Sequence, residues 1–275
     1  MNRRGEPDEF GDRMKRYEAV ETARVFDPKL PIYARIDGRS FSRFTRAMKR
    51  PFDSRMAAAM VATAKQILRE TNACIGYTQS DEISLVWLCD SPKCEPLFGG
   101  KVHKLTSVVA SMAAAHFQFA LGMNFGRTEA ERYSQMAPHF DARVFQLPSK
   151  IEAANAFLWR AIDARKNAVS TATRAVYSPK AMRRKSQSDM LAMLKAKGID
   201  FDVYPPAFKW GTWLRRVTFE RPLTAQELMG IPEKHRPVPG TIVSRSEVRE
   251  IAMPEFSKVN NRVEVIFDGA DPIAT

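Results

Sequence analysis

The chain has 275 residues, 44% of them hydrophobic, which is enough for one large core or two smaller ones. Forty-three Lys and Arg residues stand against 31 Asp and Glu, a formal charge of +12. An excess of this size favours a polyanionic partner, because lysines and arginines neutralise phosphates and release their counterions. Cys74, Cys89 and Cys94 make an odd count with no framework spacing, and Cys89 and Cys94 lack the second pair that a zinc site needs, so a reduced, cytoplasmic chain is expected.

The N-terminus, "MNRRGEPDEFGDRMKRYE", has no apolar core and does not read as a signal peptide. Residues 11–24 are polar and helix-prone. Pro31 precedes a strand over 32–37. A basic stretch with Arg39, Arg43, Arg46, Lys49 and Arg50 follows, broken by Pro51. It reads either as a charged surface loop or as a phosphate or RNA contact. Over 54–70, Met56, Met60, Ala64, Ile67 and Leu68 share one helical face, with Asp53 or Ser54 as cap. "ACIGYTQSDEISLVWL" gives two short strands, 73–78 and 83–88, around a polar turn. Gly99-Gly100 opens a helix over about 101–121. Its apolar run carries Ser107, Ser111, His116 and Gln118, so a buried helix is expected, with His116 as a hydrogen-bonded core residue, and not a membrane span. A strand over 140–147 completes the order β-α-β-β-α-β, the ferredoxin-like pattern of an α+β fold. Helices are expected over 150–167 and 186–197, and strands over 212–219, 241–248 and 262–267. The expected division is a catalytic core over 1–150 and a helical, strand-containing extension over 151–275 packed on it, with one continuous domain as the alternative, since no flexible linker marks the boundary.

In this order the first strand and the hairpin lie side by side, so Asp37 and Asp81 meet in space. Hard divalent cations, Mg²⁺ above all, are held by one or two carboxylates plus substrate phosphates. A pair of such ions activates an attacking hydroxyl and stabilises a leaving pyrophosphate. Gly38 would let the backbone come close to a metal or a triphosphate. Taken alone, "DG" is equally a turn with Asp tolerated in it, and "SDE" a hairpin tip. Lys101 and Lys104, in the first turn of their helix, are either phosphate contacts or a solvated helix end. There is no Walker loop, no G-x-G-x-x-G, no G-x-S-x-G and no HExxH, and the four histidines lack ligand spacing.

With these residues assembled, the chain resembles the tRNA-His guanylyltransferase family, and within it the bacterial guanylyltransferase-like branch. The segments that carry the resemblance are "GDRMKRYE", "YARIDGRSFSRFTR", "GYTQSDEISLVW", "GGKVHKLTSVVAS" and "FDARVFQLPS", across roughly 11–150, with a looser match through "FLWRAIDARKNAV" and "KWGTWLRR". The resemblance implies a polymerase-palm-type catalytic domain that adds nucleotides in the 3′–5′ direction to the 5′ end of tRNA, with ATP or GTP activating that end. It implies two Mg²⁺ ions and assembly as a homotetramer, a dimer of dimers. Carried over, Asp37 and Asp81 would be metal carboxylates, Gly38 would lend a carbonyl, and Glu82 would be a further catalytic acid. Arg39, Ser40, Phe41, Ser42 and Ser80, with Lys101 and Lys104, would contact the nucleotide, as would Asp37, Gly38 and Asp81 themselves. Arg165 and Asn167 would contact RNA. The chain departs from the family where Arg165 replaces the histidine of a His-Ile-Asn-Asn-type motif. That favours repair of 5′-truncated tRNAs over guanylate addition to tRNA-His. A non-catalytic RNA-binding protein and a palm-fold nucleotide cyclase are the competing classes.

Overall fold

Residues 9–89 and 94–275 are described by a computed structural model. The N-terminal residues 1–8, part of the stretch without signal-peptide character, lie outside the described residues. In chain order the elements are α1 (Glu9–Thr22), β1 (Ile32–Gly38), α2 (Phe41–Phe44), α3 (Ser54–Thr71), β2 (Ile75–Gln79), β3 (Glu82–Trp87), α4 (Val102–Asn124), α5 (Arg127–Gln135), β4 (Phe140–Gln146), α6 (Lys150–Arg174), α7 (Pro179–Met182), α8 (Gln187–Ala196), α9 (Pro206–Trp210), β5 (Thr212–Pro222), α10 (Ala225–Gly230), β6 (Ile242–Ile251) and α11 (Arg262–Phe267).

The strands form one antiparallel sheet in the order β4-β1-β3-β2-β5-β6. Its first four strands have the ferredoxin-like order, and β5 and β6 extend it beyond β2. The sheet therefore crosses the boundary expected near residue 150. Alternation along β1 decides what each face receives. Ile32, Ala34 and Ile36 face α3 and α4 in the larger core, together with Ile83, Leu85 and Trp87. Tyr33 points to the other face, into a second core with Ile75, Tyr77, Trp213 and α6 residues such as Phe157 and Ala161. A third, small core joins α6 to α8 through Val169, Ala172, Leu194 and Phe201.

Side-chain caps fix the starts of α3, α6, α7, α8 and α10. Asp53 caps α3, accepting from the Arg55 backbone N–H at 3.0 Å and from Lys49 N–H at 3.1 Å. The Arg55 guanidinium, also bonded to Asp53, holds that carboxyl down at about 2. Ser186 and Asp189 form a capping box at the start of α8.

Three expectations need correction. Residues 262–267 form the helix α11, not a strand; its short apolar run cannot distinguish the two, and burial of Val265 and Ile266 against the α6 face settles the choice. The helix α4 is long and apolar enough to span a membrane, but Leu105, Val109, Ala113, Phe117 and Leu121 pack it onto the sheet while Phe119 and Met123 stay exposed, so one face is buried and not the whole helix. His116 on the same helix keeps the polar partner expected of it, at the edge of the core: its side chain is 25% exposed and its Nε2 lies 3.1 Å from Glu70 Oε1. Cys89 and Cys94, expected as reduced thiols, are joined in a disulfide, their Cα atoms 5.3 Å apart.

Candidate active site

The backbone of β1 and the tip of the β2–β3 hairpin bring the two carboxylates together. Ser80 and Asp81 form the turn between Gln79 and Glu82, and the Gly38 N–H donates to the Asp81 carbonyl at 3.0 Å. Two non-glycine residues with left-handed backbone flank the pair, Ser40 (φ 58°) and Ser80 (φ 51°). Such conformations persist where the surrounding fold imposes them. The Ser80 hydroxyl donates to Asp81 Oδ1 at 2.9 Å. A third carboxylate joins them: Asp141 on β4 pairs in register with Asp37. Burial raises the Asp37 carboxyl above its ordinary value, and repulsion from Asp141 adds to it. Burial likewise raises Asp81, with Asp37 as a repulsive neighbour and the Ser80 hydrogen bond opposing.

This donor set fits a hard cation. The oxygens are carboxylates crowded against like charge, which a divalent ion relieves. Among the described residues no group of three or more His, Cys, Asp and Glu forms a ligand cage. Two carboxylates whose remaining positions fall to substrate phosphates match the magnesium pattern better than an all-protein site does.

Asp81 and Ser80 belong to the wall of a cavity of about 330 Å³. Met56, Met60, Val61 and Phe208 give it an apolar side; Ser42, Gln79, Asn167 and Thr171 give it polar groups; Lys49, Arg50 and Arg174 contribute positive charge. An apolar wall with a few convergent polar groups suits a nucleoside, and the cations suit its phosphates. Phe41 also lines the cavity; Asp37, Gly38, Arg39 and Ser40 do not, and Asp37 stands beside it through the Gly38–Asp81 contact.

The profile of one protein family, tRNA(His) guanylyltransferase, matches residues 11–148, half of the chain, including both carboxylates, the hairpin and Asp141. The chain belongs to the tRNA(His) guanylyltransferase family. Its members are nucleotidyltransferases, and this chain is an enzyme of that class. An uncharacterised protein of Acanthamoeba polyphaga mimivirus is 32% identical over 203 residues, 68% of this chain and 69% of that one. The tRNA(His) guanylyltransferase of Schizosaccharomyces pombe is 30% identical over 154 residues, 54% of this chain and 56% of that one. Among solved structures, a bacterial tRNA(His) guanylyltransferase-like protein in complex with ATP superposes with TM-score 0.69 at 32% identity, over 76% of this chain and 87% of that one. A bacterial protein of the same description in complex with GTP gives TM-score 0.67 at 27% identity, over 94% and 97%.

The fold assigns several residues different work from that implied by the tRNA(His) guanylyltransferase resemblance. Gly38 is explained by packing: a Cβ there would lie 2.4 Å from the buried Phe41 ring, which Phe44, Phe117 and Phe140 hold in place. Gly38→Ala is expected to destabilise the protein by about 1–3 kcal/mol, read as a lower melting temperature. Glu82 lies opposite Asp37 in register, but both of its oxygens are taken by Arg160, at 2.6 and 2.7 Å. A buried carboxylate held by a two-pronged guanidinium is a brace and not a free acid. Arg160 Nη2 also donates to Asp163 at 3.0 Å, and Asn167 Nδ2 to the same oxygen at 3.4 Å, so one chain of polar contacts runs from β3 along α6 to the cavity wall.

Lys101 and Lys104 are not brought to the carboxylates within this chain. The start of α4 is tied to Arg24 and Phe26 near the opening of β1, whereas Phe117, thirteen residues beyond Lys104 along α4, is the part that packs beside Gly38 and Phe41. The helix rise puts Lys104 about 20 Å away along the axis. Arg165 turns away from the cavity and sits between the rings of Phe201 and Trp210, 4.3 and 4.6 Å from their centroids. Asn167 does reach the cavity.

Arg174, Arg160 and Asp141 are the functional candidates that sequence reasoning passed over. A signal existed for the first: Ala164, Asn167, Ala168, Thr171 and Arg174 follow helical spacing along one face of α6. Register alone brings Asp141 to Asp37, and no sequence pattern announces it.

Proposed function

We propose that this enzyme adds nucleotides in the 3′–5′ direction to the 5′ end of tRNA, most simply to repair 5′-truncated tRNAs. The observation that carries the reading is the cavity: Ser80 and Asp81 in its wall, Asp37 beside it, and Lys49, Arg50 and Arg174 among its lining residues. In the first step an oxygen of the RNA 5′-monophosphate attacks the α-phosphorus of ATP or GTP and pyrophosphate leaves. In the second, the 3′-hydroxyl of the incoming nucleotide attacks the activated 5′ phosphorus and the nucleoside monophosphate leaves. The apolar wall takes the base, and the three cations neutralise the triphosphate while Ser80 orients Asp81. Asp37 and Asp81 are the residues that would hold Mg²⁺. What the ions supply when bound is charge neutralisation at phosphorus and a more acidic attacking hydroxyl.

Assembly as a homotetramer belongs to the same reading. It is supported by α1, which buries none of its residues and exposes Phe10, Met14 and Tyr17 along one face; light scattering on the purified chain tests it.

The function is tested by incubating the protein with a 5′-truncated tRNA transcript, Mg²⁺, ATP and labelled nucleoside triphosphates, with full-length tRNA-His lacking its extra guanylate as competitor. Extension of the truncated transcript is expected to predominate. Extension of the competitor alone would assign guanylate addition instead, and tight binding of both RNAs without product would assign a binding module.

A further inference from the structure

The charge excess of this protein is not spread over its surface. Residues 38–52 contain five cations, Arg39, Arg43, Arg46, Lys49 and Arg50, and no Asp or Glu. Residues 164–188 contain seven, Arg165, Lys166, Arg174, Lys180, Arg183, Arg184 and Lys185, again with no Asp or Glu. The other 31 basic residues are matched by the 31 acidic ones, so these two stretches carry the whole net charge of +12.

The fold brings the two stretches to one cavity. Lys49 and Arg50 from the first and Arg174 from the second line the cavity that holds Ser80 and Asp81. Arg165 is withdrawn between its two aromatic rings. From Arg174 the second stretch leads over α7 to the start of α8, where Lys180, Arg183, Arg184 and Lys185 are all exposed. Among the described residues none of these four forms a salt bridge, and Lys185 alone of them acts at longer range on a carboxylate, that of Asp189. The segment is pinned at both ends: the Ser178 hydroxyl accepts from the Ala181 N–H, and Ser186 closes the α8 capping box. The cations thus sit on ordered backbone and not on a free tail.

We propose that the surface from Arg174 across α7 to Lys185 is the track along which the phosphate backbone of the RNA substrate lies while its 5′ end occupies the cavity. The inference rests on the function proposed above. A polyanion whose end must enter this cavity has to cross its border, and here exposed cations continue outward from Arg174 as far as Lys185, beside the Asp189 carboxylate of the α8 cap. Contacts of this kind position the strand and carry no sequence information, so they suit an enzyme that acts on many truncated RNAs.

The test replaces Lys180, Arg183, Arg184 and Lys185 together by Ser in the full chain. Binding of a 5′-truncated tRNA transcript is followed by fluorescence anisotropy from about 50 to 200 mM KCl. The track predicts at least a tenfold loss of affinity and a salt slope shallower by about 3, since each lost phosphate contact removes about 0.7–0.9. ATP binding, by equilibrium dialysis, and the melting temperature stay at wild-type values, and extension at saturating transcript is retained with a raised KM. The charge-preserving Arg183→Lys/Arg184→Lys variant binds like wild type. Should the fourfold variant fold poorly, the single exposed Arg184→Glu substitution replaces it, with weakened transcript binding as the expected result. Wild-type affinity and slope in the fourfold or Arg184→Glu variant overturn the track, as does loss of binding to anionic phospholipid vesicles with transcript binding intact. If wild type binds the transcript with a steep, variant-sensitive salt dependence yet extends nothing, the track stands and the proposed function falls. If both proteins bind and extend equally, the function stands and the track falls.

Discussion

Asp81→Asn and Asp37→Asn each lower nucleotide transfer by on the order of 10³-fold or more, because each removes a fixed negative oxygen at the point where charge on phosphorus must be balanced. Neither change should weaken the fold in the absence of divalent ions. Both carboxyls are raised above their ordinary value, by burial first and then by neighbouring carboxylates. A raised acid contributes stability in its protonated form, below its ordinary value, and that stability is lost as pH rises through the raised value. At neutral pH the wild-type protein carries this cost and the Asn variants do not. Scanning calorimetry without divalent ions should therefore show Asp81→Asn melting at or above wild type. Added Mg²⁺ should raise the wild-type melting temperature and leave the variant where it was. A variant that melts well below wild type without metal would show that these carboxylates brace the hairpin instead of waiting for a cation.

Arg160→Met gives the largest stability loss expected for a single substitution here. Arg160 and Glu82 are both buried, and the guanidinium meets both carboxylate oxygens. Removing the guanidinium leaves the Glu82 charge buried without its two short hydrogen bonds, and breaking a buried pair in this way costs about 3–5 kcal/mol. For a chain of this size that corresponds to a melting temperature lower by roughly 10 °C. The double variant Glu82→Gln/Arg160→Met should recover part of the loss, because the stranded charge is gone. If Glu82 were instead a free catalytic acid, Glu82→Gln alone would abolish transfer without lowering the melting temperature. The two roles therefore separate in one pair of measurements. Arg35, whose Nε lies 3.8 Å from Glu82, is a second and more distant cation that offsets part of the Arg160→Met loss.

The alternation in "IYARIDG" and the polar turn inside "GYTQSDEISLVW" determined the palm-like strand order, since strand period and turn chemistry are local properties written residue by residue. Local spacing also placed Asp37 at a strand end and Asp81 at a hairpin tip, from which their meeting follows once the strands pair. Contacts between residues far apart in sequence were not legible. Register across β1 and β4 brings Asp141 to Asp37, and packing of the Phe41 ring claims the space beside Gly38. The length of α4 carries Lys101 and Lys104 to the far end of the sheet. In isolation Glu82 reads as a third acid; only α6 laid across the sheet face supplies the guanidinium that occupies it. Sequence fixes which groups are available and on which face of each element they lie. Which groups are already engaged, and which stay free to meet a phosphate, was decided by tertiary packing, because a charge is committed only when its partner arrives from another part of the chain.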